Sequence, residues 1–301
     1  MNKLLVVCGA TASGKSGFAV EIAKRLKGEV VSADCMCVYK HLNIGTAKPT
    51  RDEMCGVVHH LIDVVEPYKQ YSVSDYESEA VKICQDILNR NCVPVVCGGT
   101  GFYIQSLLFY RTNGGIGADS ALRSRLQKIA DERGNEYLHV MLALHDQESA
   151  DKLHPNDVKR VIRALEIYMR TGKPKSQQKD GVQTRFPYLA VAFDYPRDEL
   201  YERINARVDV MISNGLVHEV EKLLDIGVSL DSQCMQGIGY KEVIEYLNNR
   251  ISYSTMCDKI KQNTRNYAKR QITFFKKLPD LVWLDPKQDN IEKVVNLYYE
   301  Y

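Results

Sequence analysis

The segment Gly9-Ala10-Thr11-Ala12-Ser13-Gly14-Lys15-Ser16 has the spacing of a chain built to hold an anion. G-x-x-x-x-G-K-S lets the backbone curl so that successive N–H groups point into one concavity, where Lys15 adds a point charge and Ser16 offers a hydroxyl to Mg²⁺. The apolar run Leu4-Leu5-Val6-Val7-Cys8 before it reads as a buried strand. Phe18, Ala19, Ile22, Ala23 and Leu26 after it recur at helical spacing, so a helix directs its positive dipole end at the anion. The structural alternative is a chance glycine-rich turn, which the order of strand, loop and helix disfavours. The loop leaves open whether the phosphates are transferred, hydrolysed or simply leave.

Two further positions could do chemistry at the same edge. Glu29-Val30-Val31-Ser32-Ala33-Asp34 reads as a second strand ending on a carboxylate. In open parallel sheets ligands gather outside the carboxyl ends of the strands, so Asp34 should face the same crevice as Lys15. Val93-Pro94-Val95-Val96-Cys97 then opens through Gly98-Gly99-Thr100-Gly101 into another helix start, which brings Thr100 to that edge. A turn cap at Asp34 and a helix cap at Thr100 are the structural alternatives.

These positions need a parallel sheet behind them. With a helix near Ser74 to Arg90, the first hundred residues alternate strand and helix as parallel βα units do, apart from the irregular stretch Cys35 to Pro67. From about Arg111 to Arg185 there are turn signals at Asn113-Gly114-Gly115 and helical periods at Leu122 to Ala130 and Val158 to Met169, without a convincing strand. Strand character returns at Tyr188-Leu189-Ala190-Val191-Ala192-Phe193. The remainder is mostly helix, with a short strand candidate at Leu281-Val282-Trp283-Leu284 and a last helix. The expected architecture is α/β: a P-loop NTPase-like parallel sheet flanked by helices, with a helical insertion domain. Residues 1–110 would form the first part of the core, 111–186 the insertion, and 187–301 the completion of the core and basic C-terminal helices.

Composition narrows the class. A chain of 301 residues with 45% hydrophobic residues can bury a large core. Lys plus Arg number 40 and Asp plus Glu 38, so net charge predicts no partner and any nucleic-acid site must show as a local concentration. The nine cysteines include no C-x-x-C pair and no zinc-spaced histidine pairs nearby, and they read as reduced thiols of a cytoplasmic protein. No apolar run approaches membrane-spanning length.

Local charge does concentrate. Between Lys159 and Arg185 eight basic residues face Glu166 and Asp180; Lys159, Arg163 and Arg170 recur at helical spacing, with Val161, Ile162, Leu165 and Met169 opposite. From Tyr253 to Lys277 seven Lys or Arg stand against Asp258, with Lys261, Arg265, Lys269 and Lys276 on one stripe and Tyr267, Phe274 and Phe275 interleaved. An extended anion such as a nucleic-acid backbone suits both stripes; an ordinary solvated helix face is the alternative. Arg203 and Arg207, one turn apart, are candidates to close on a diphosphate, with an exposed ion pair to Glu202 as the competing reading.

Eight motifs follow one another along the chain: the loop at Gly9 to Ser16, Ser32-Ala33-Asp34 with Val38-Tyr39, Asn43-Ile44-Gly45-Thr46-Ala47-Lys48-Pro49 and His59-His60-Leu61-Ile62-Asp63. They continue with Gly98-Gly99-Thr100-Gly101-x-Tyr103, His154-Pro155-Asn156-Asp157 followed by Arg160 to Glu166, Gly239-Tyr240-Lys241-Glu242, and Thr264-Arg265-x-x-Ala268-Lys269-Arg270-Gln271. Running in order through nearly the whole chain, the series resembles the tRNA dimethylallyltransferase family, also called tRNA isopentenyltransferases. The resemblance implies transfer of a dimethylallyl group from dimethylallyl diphosphate to N6 of adenosine 37 in tRNAs reading codons that begin with U, with Mg²⁺ as cofactor.

The resemblance also implies roles. Gly9, Ala10, Thr11, Ala12, Ser13, Gly14, Lys15 and Ser16, with Arg207, would hold the diphosphate as leaving group, Ser16 holding the metal. Asp34 would accept the proton of the adenine amine, a poor nucleophile because its lone pair is delocalised into the ring. Lys15 and Thr100 complete the implied catalytic set. The anticodon stem-loop would meet Asp34, Cys35, Met36, Cys37, Thr100, Arg123, Lys159, Arg160, Arg163, Gln236, Gly237, Arg265, Lys269 and Arg270, with the target base splayed out into a channel. The enzyme would be a monomer of bacterial type, since the zinc-finger extension of some eukaryotic relatives is missing. His59, His60 and His154 read as structural or loop residues, because no carboxylate or thiol accompanies them at ligand spacing.

Several positions depart from the family pattern. Cys35 and Cys37 replace a hydroxyl and a carboxamide, which puts amide readout at Cys37 in doubt because a thiol is a weak hydrogen-bond group. Ala10 replaces Pro, Lys159 replaces Gln and Phe274 replaces Trp. Three other classes share parts of the pattern: an adenylate isopentenyltransferase acting on free nucleotide, a P-loop small-molecule kinase, and a non-catalytic tRNA-binding protein.

Overall fold

The fold follows from strands that are apolar along their whole length. In a computed structural model that describes residues 3–110, 117–178 and 183–300, all five side chains of β1 (Leu4–Cys8) are buried, as happens only when both faces of a sheet are covered. The chain continues through α1 (Lys15–Leu26), β2 (Gly28–Ser32), α2 (Arg51–Met54), β3 (His59–His60), α3 (Val73–Asn89), β4 (Val93–Gly98) and α4 (Gly101–Leu108). Four helices follow: α5 (Ser120–Arg133), α6 (Asn135–Ala143), α7 (Gln147–Lys152) and α8 (Val158–Thr171). Then come β5 (Tyr188–Phe193), α9 (Arg197–Ser213), α10 (Leu216–Asp225), α11 (Tyr240–Leu247), α12 (Tyr253–Phe275), β6 (Leu281–Leu284) and α13 (Ile291–Glu300).

Two compact units result, one formed by Met1–Leu108 with Arg185–Tyr301 and the other by Phe109–Thr184. The first carries a six-stranded sheet in the order β3-β2-β4-β1-β5-β6, every pairing parallel. Its core joins Leu5 and Val7 of β1 to Ala19, Ile22 and Leu26 of α1, to Val95 of β4 and to Val191 of β5. This is the α/β, P-loop NTPase-like sheet expected from the sequence. The order places β4 between β1 and β2, so Asp34 and the phosphate loop come from strand tips two places apart.

The second strand also ends at Ser32, two residues short of Asp34. The irregular stretch Cys35 to Pro67 contains α2 and the two-residue edge strand β3, which is too short to leave an alternation in the sequence.

The second unit is helical, with Leu126 and Ala130 of α5, Leu138 and Leu142 of α6, and Val161 and Leu165 of α8 as its core. Met169, expected on the packed face of α8, is 45% exposed: the apolar stripe ends at Ile167, one turn before the helix does. The turn signals at Asn113-Gly114-Gly115 and the charge of Asp180 fall outside the described residues. Among the described residues no helix is long and apolar enough to cross a membrane.

Candidate active site

The loop after β1 is held in a shape that would cost free energy on its own. Gly9 and Gly14 take φ of 129° and 83°, and Ala12, which has a Cβ, takes φ of 62°. That strained position is pinned from outside: Arg203 Nε on α9 donates to the Ala12 carbonyl at 2.9 Å. Lys15 Nζ folds back to donate to the Ala10 carbonyl at 3.2 Å. Ala10 and Ala12 pack against Leu200, Ile204 and Ala268, so the missing proline at position 10 is replaced by burial on α9 and α12. Ser13 Oγ is buried with no hydrogen-bond partner, an orphaned polar atom in a loop shaped to close round a ligand.

The electrostatics match. Lys15 and Arg207 line one cavity together, and among the described residues neither has a carboxylate within ion-pair distance. Burial pulls the Lys15 ammonium below its ordinary value, and Arg207 pushes in the same direction. Burial likewise lowers Arg207. Two desolvated like charges left without a counter-ion are an arrangement that an incoming anion relieves. Ser16 Oγ lies in the same cavity, beside the Cys97 thiol.

Asp34 enters from the far side of β4. Gly98 at the tip of β4 allows this, because a Cβ there would meet the Ala33 carbonyl oxygen at 2.1 Å. The crossing is then stitched by Thr100: its N–H donates to the Ala33 carbonyl at 3.0 Å, and its Oγ1 accepts the Cys35 N–H at 3.0 Å. Asp34 Oδ1 accepts the Met36 N–H at 2.9 Å and the Cys37 N–H at 3.4 Å, which orients the carboxylate. Asp34 thus combines the local turn expected as its alternative role with a place facing the cavities. Thr100 lines neither of the two cavities beside Asp34.

Two cavities meet at this carboxylate. The inner one is lined by Thr11, Lys15, Ser16, Asp34, Cys37 and Arg207. The outer, about 440 Å³, has apolar walls at Met36, Ile204, Val208, Met211, Leu216 and Ile238, and polar groups at Gln233, Gln236 and Arg270. Thr11, Asp34, Thr46, Arg207 and Tyr267 line both, so Asp34 borders the cavity of the glycine-rich loop and the apolar chamber alike.

Of the residues expected to contact an extended partner, Asp34, Cys35, Met36, Gln236, Gly237 and Arg270 line the outer cavity. Cys37 does not: it is 6% exposed and lines the cradle instead. Burial, reinforced by the charge of Asp34, pushes the Cys35 thiol up to about 11 and raises Cys37 well above its ordinary value, so both stay neutral. Lys269 and Arg270 on α12 are exposed, whereas Arg265 is held by Asn205 Oδ1 at 2.6 Å and Gln262 Oε1 at 2.7 Å. Lys261 pairs with Asp209. The interleaved aromatics are not on that basic face: Phe275 is fully buried, Phe274 packs on Phe102, and Tyr267 turns into the cavities.

In the helical unit Lys159 and Arg160 of α8 are exposed, Arg160 pairing with Asp157 at 3.1 Å. Arg123 and Arg163 both bind the fully buried Glu166. Arg170 donates to the Gly117 carbonyl. His60 pairs with Glu29, His59 Nδ1 donates to the Val57 carbonyl, and His154 Nδ1 accepts the Asn156 N–H, so all three have structural partners. Of the two arginines on α9, Arg203 buttresses the loop and Arg207 faces both cavities.

Sequence reasoning missed Glu219. Its carboxylate accepts the N–H groups of Asn43, Ile44 and Gly45 and the Tyr240 hydroxyl, which fixes the loop that brings Thr46 to both cavities. No spacing signals a partner 174–176 residues away.

The chain matches the description of the IPP transferase family over residues 37–278, and that of isopentenyl transferases over residues 2–65. It is 43% identical to a tRNA dimethylallyltransferase of Acetivibrio thermocellus, covering 99% of this chain and 97% of that one. It is 46% identical to a tRNA dimethylallyltransferase of Caldanaerobacter subterraneus, covering 93% and 91%. Among solved structures it resembles the full-length tRNA isopentenylpyrophosphate transferase of Bacillus halodurans, with a TM-score of 0.76 at 38% identity, covering 100% of this chain and 96% of that one. It also resembles a eukaryotic dimethylallyltransferase acting on tRNA, with a TM-score of 0.81 at 29% identity, covering 99% and 77%. With a family match over most of its length and relatives above 40% identity end to end, the chain belongs to the IPP transferases, the family of the tRNA dimethylallyltransferases.

Proposed function

We propose that this protein transfers a dimethylallyl group from dimethylallyl diphosphate to N6 of adenosine 37 in tRNAs reading codons that begin with U. The observation that carries the reading is the position of Asp34, which lines both a cavity holding Lys15 and Arg207 and a neighbouring apolar chamber. The loop from Gly9 to Ser16 holds the diphosphate, and Lys15 and Arg207 offset the charge that accumulates on it as the carbon to oxygen bond breaks. The prenyl chain and the extruded adenine share the apolar chamber. The amine nitrogen forms its new bond to the allylic carbon, diphosphate leaves with the bonding pair, and the amine proton passes to Asp34. Thr100 keeps that carboxylate in place through Cys35 and Ala33.

A divalent cation fits the donors present. Among the described residues no group of three or more His, Cys, Asp or Glu could hold a metal. The Ser16 hydroxyl, which lines the cavity with Lys15, is a hard oxygen donor of the kind Mg²⁺ favours and would help to hold the ion. When bound there, the ion would neutralise charge on the leaving group. In the sheet unit the exposed Lys269 and Arg270 of α12 are candidate contacts for the anticodon stem-loop, and in the helical unit, taken by itself, so are the exposed Lys159 and Arg160 of α8; the protein acts as a monomer in the cytoplasm.

The test is incubation with radiolabelled dimethylallyl diphosphate and unmodified tRNA, with and without Mg²⁺, followed by digestion of the RNA. Label is expected in N6-(dimethylallyl)adenosine from position 37, with release of one diphosphate. Labelling of AMP with none in tRNA would overturn the reading in favour of a free-nucleotide enzyme, and ATP-dependent phosphorylation of a small alcohol would favour a kinase.

A further inference from the structure

Helix α12 has two working faces, and only the outer one has a role so far. Its inner face places Gln271, 5% exposed, between the tips of β1 and β4. Gln271 Oε1 accepts the Thr11 N–H at 2.9 Å, and Gln271 Nε2 donates to the Gly99 carbonyl at 2.9 Å. One carboxamide therefore bridges the first turn of the phosphate loop to the turn that carries Thr100. The fit is tight from both sides: a Cβ at Gly99 would lie 2.1 Å from Gln271 Nε2, so this approach requires glycine there. One turn earlier on α12, the Tyr267 hydroxyl interacts with the side chains of both Thr100 and Gln271. Gln271 itself lines the inner cavity with Lys15, Ser16 and Asp34.

Among the described residues no other side chain is hydrogen-bonded to both of these turns. The Ala12 carbonyl is held from α9 by Arg203, and the Asp34 segment is held by Thr100; the start of the loop and the β4 turn are locked to each other by Gln271. A carboxamide suits the task because it carries a donor and an acceptor about 2.3 Å apart on one rigid plane, with no charge to compete for the anion. A carboxylate would repel the diphosphate, and an apolar side chain would leave the buried Gly99 carbonyl and the half-buried Thr11 N–H without this partner.

We propose that Gln271 is a positioning residue for prenyl transfer, a neutral clasp that sets the distance between the anion cradle and the Thr100–Asp34 segment. The proposal rests on the function proposed above, and its test separates the two. The probe is inorganic diphosphate with Mg²⁺, titrated against the full chain, alongside binding of an anticodon stem-loop and prenyl-transfer kinetics. Gln271→Met keeps the length and loses both hydrogen bonds. It should weaken diphosphate binding by about tenfold or more and lower kcat, while RNA affinity stays within about twofold, since Lys269 and Arg270 are untouched.

Gln271→Glu keeps the acceptor for Thr11 and loses the donor to Gly99, with a charge facing Lys15, Asp34, His59, Arg207 and Tyr267 across the cavity. Its affinity relative to wild type should recover as acidification protonates the new carboxyl, which can then donate to Gly99 and accept from Thr11 as the amide does. Diphosphate binding and kcat within about twofold of wild type in Gln271→Met would overturn the clasp while leaving the transferase reading intact. A wild-type chain that binds no diphosphate and transfers no prenyl group would overturn both. If the variants do not fold, amide exchange in the wild-type chain still decides: the Thr11 N–H should be strongly protected without ligand, and exchange at the rate of an open loop would rule the clasp out.

Discussion

Asp34 in the sheet unit and Glu166 in the helical unit are both held by hydrogen bonds near arginine or lysine, yet they are built for opposite ends. Glu166 is fully buried and spends both oxygens: Oε1 accepts from the Asp119 N–H at 2.7 Å and from Arg123 Nε at 3.0 Å, while Oε2 accepts from Arg123 and Arg163. Burial pushes its carboxyl up, but the bonds from Arg123, Asp119 and Arg163 outweigh this and hold it down at about 2. Asp34 spends one oxygen on two backbone N–H groups and pairs with neither Lys15 nor Arg207, although all three line one cavity. A carboxylate satisfied on every side joins elements together; one left with an open oxygen beside unpaired cations is available for chemistry. The same contrast separates the cations. Among the described residues Lys15 and Arg207 form no ion pair, whereas Arg123 and Arg163 share Glu166.

The contrast predicts effects that should not mix. Asp34→Ala should lower prenyl transfer by roughly 10²- to 10⁴-fold, the range for removing a general base, with thermal stability and RNA binding little changed. Single-turnover rates measured beside a melt would check it, and turnover near wild type would end the assignment of Asp34 as base.

Glu166→Ala should do the reverse, destabilising the helical unit by about 1–3 kcal/mol because the Asp119 N–H and two arginines, both with access to water, lose their buried acceptor. Chemical denaturation followed by helix content would show this. Because its folded carboxyl titrates near 2 against an ordinary 4.5, the stability Glu166 contributes is fully present above about pH 4.5 and is lost as pH falls toward 2. The difference between wild type and Glu166→Gln should shrink over that window; a difference independent of pH would contradict the ion-pair account.

Lys15→Ala should weaken diphosphate binding by about ten- to a hundredfold, the worth of a charge-assisted contact, and leave stability unchanged or raised because a desolvated charge is removed. Calorimetric titration would read both. Smallest is the outer face of α12: Arg270→Ala should reduce the salt slope of RNA binding by about one, and Arg265→Ala by less, since Arg265 is already tied to Asn205 and Gln262. Equal slopes for the two variants would show that these ties open on binding.

The sequence made the cradle legible because its signal is local. Eight consecutive residues between an apolar run and a helical period need a single turn, and Leu4–Cys8 and Lys15–Leu26 are the strand and helix that those patterns require. Tyr188–Phe193 and Leu281–Leu284 were legible for the same reason. The two-residue β3 was not, nor were the separate helices α6 and α7, whose mixed faces blur the period. The basic stripes were legible as charge but not as function, because charge in a sequence does not reveal its partner: Arg265 finds Asn205 and Lys261 finds Asp209, both on another helix.

By itself, then, the order of residues determined the anion loop, the apolar strands and the presence of a carboxylate just past one strand tip, since spacing and period act within a few residues. Tertiary structure alone decided that β4 separates Asp34 from the loop, that Thr100 spans the gap, and that Gln271 closes on Thr11 from 260 positions away. Those choices depend on which buried donors and acceptors end up opposite one another once the sheet is packed. That pairing is a property of the assembled core, and it leaves no periodic trace in the chain.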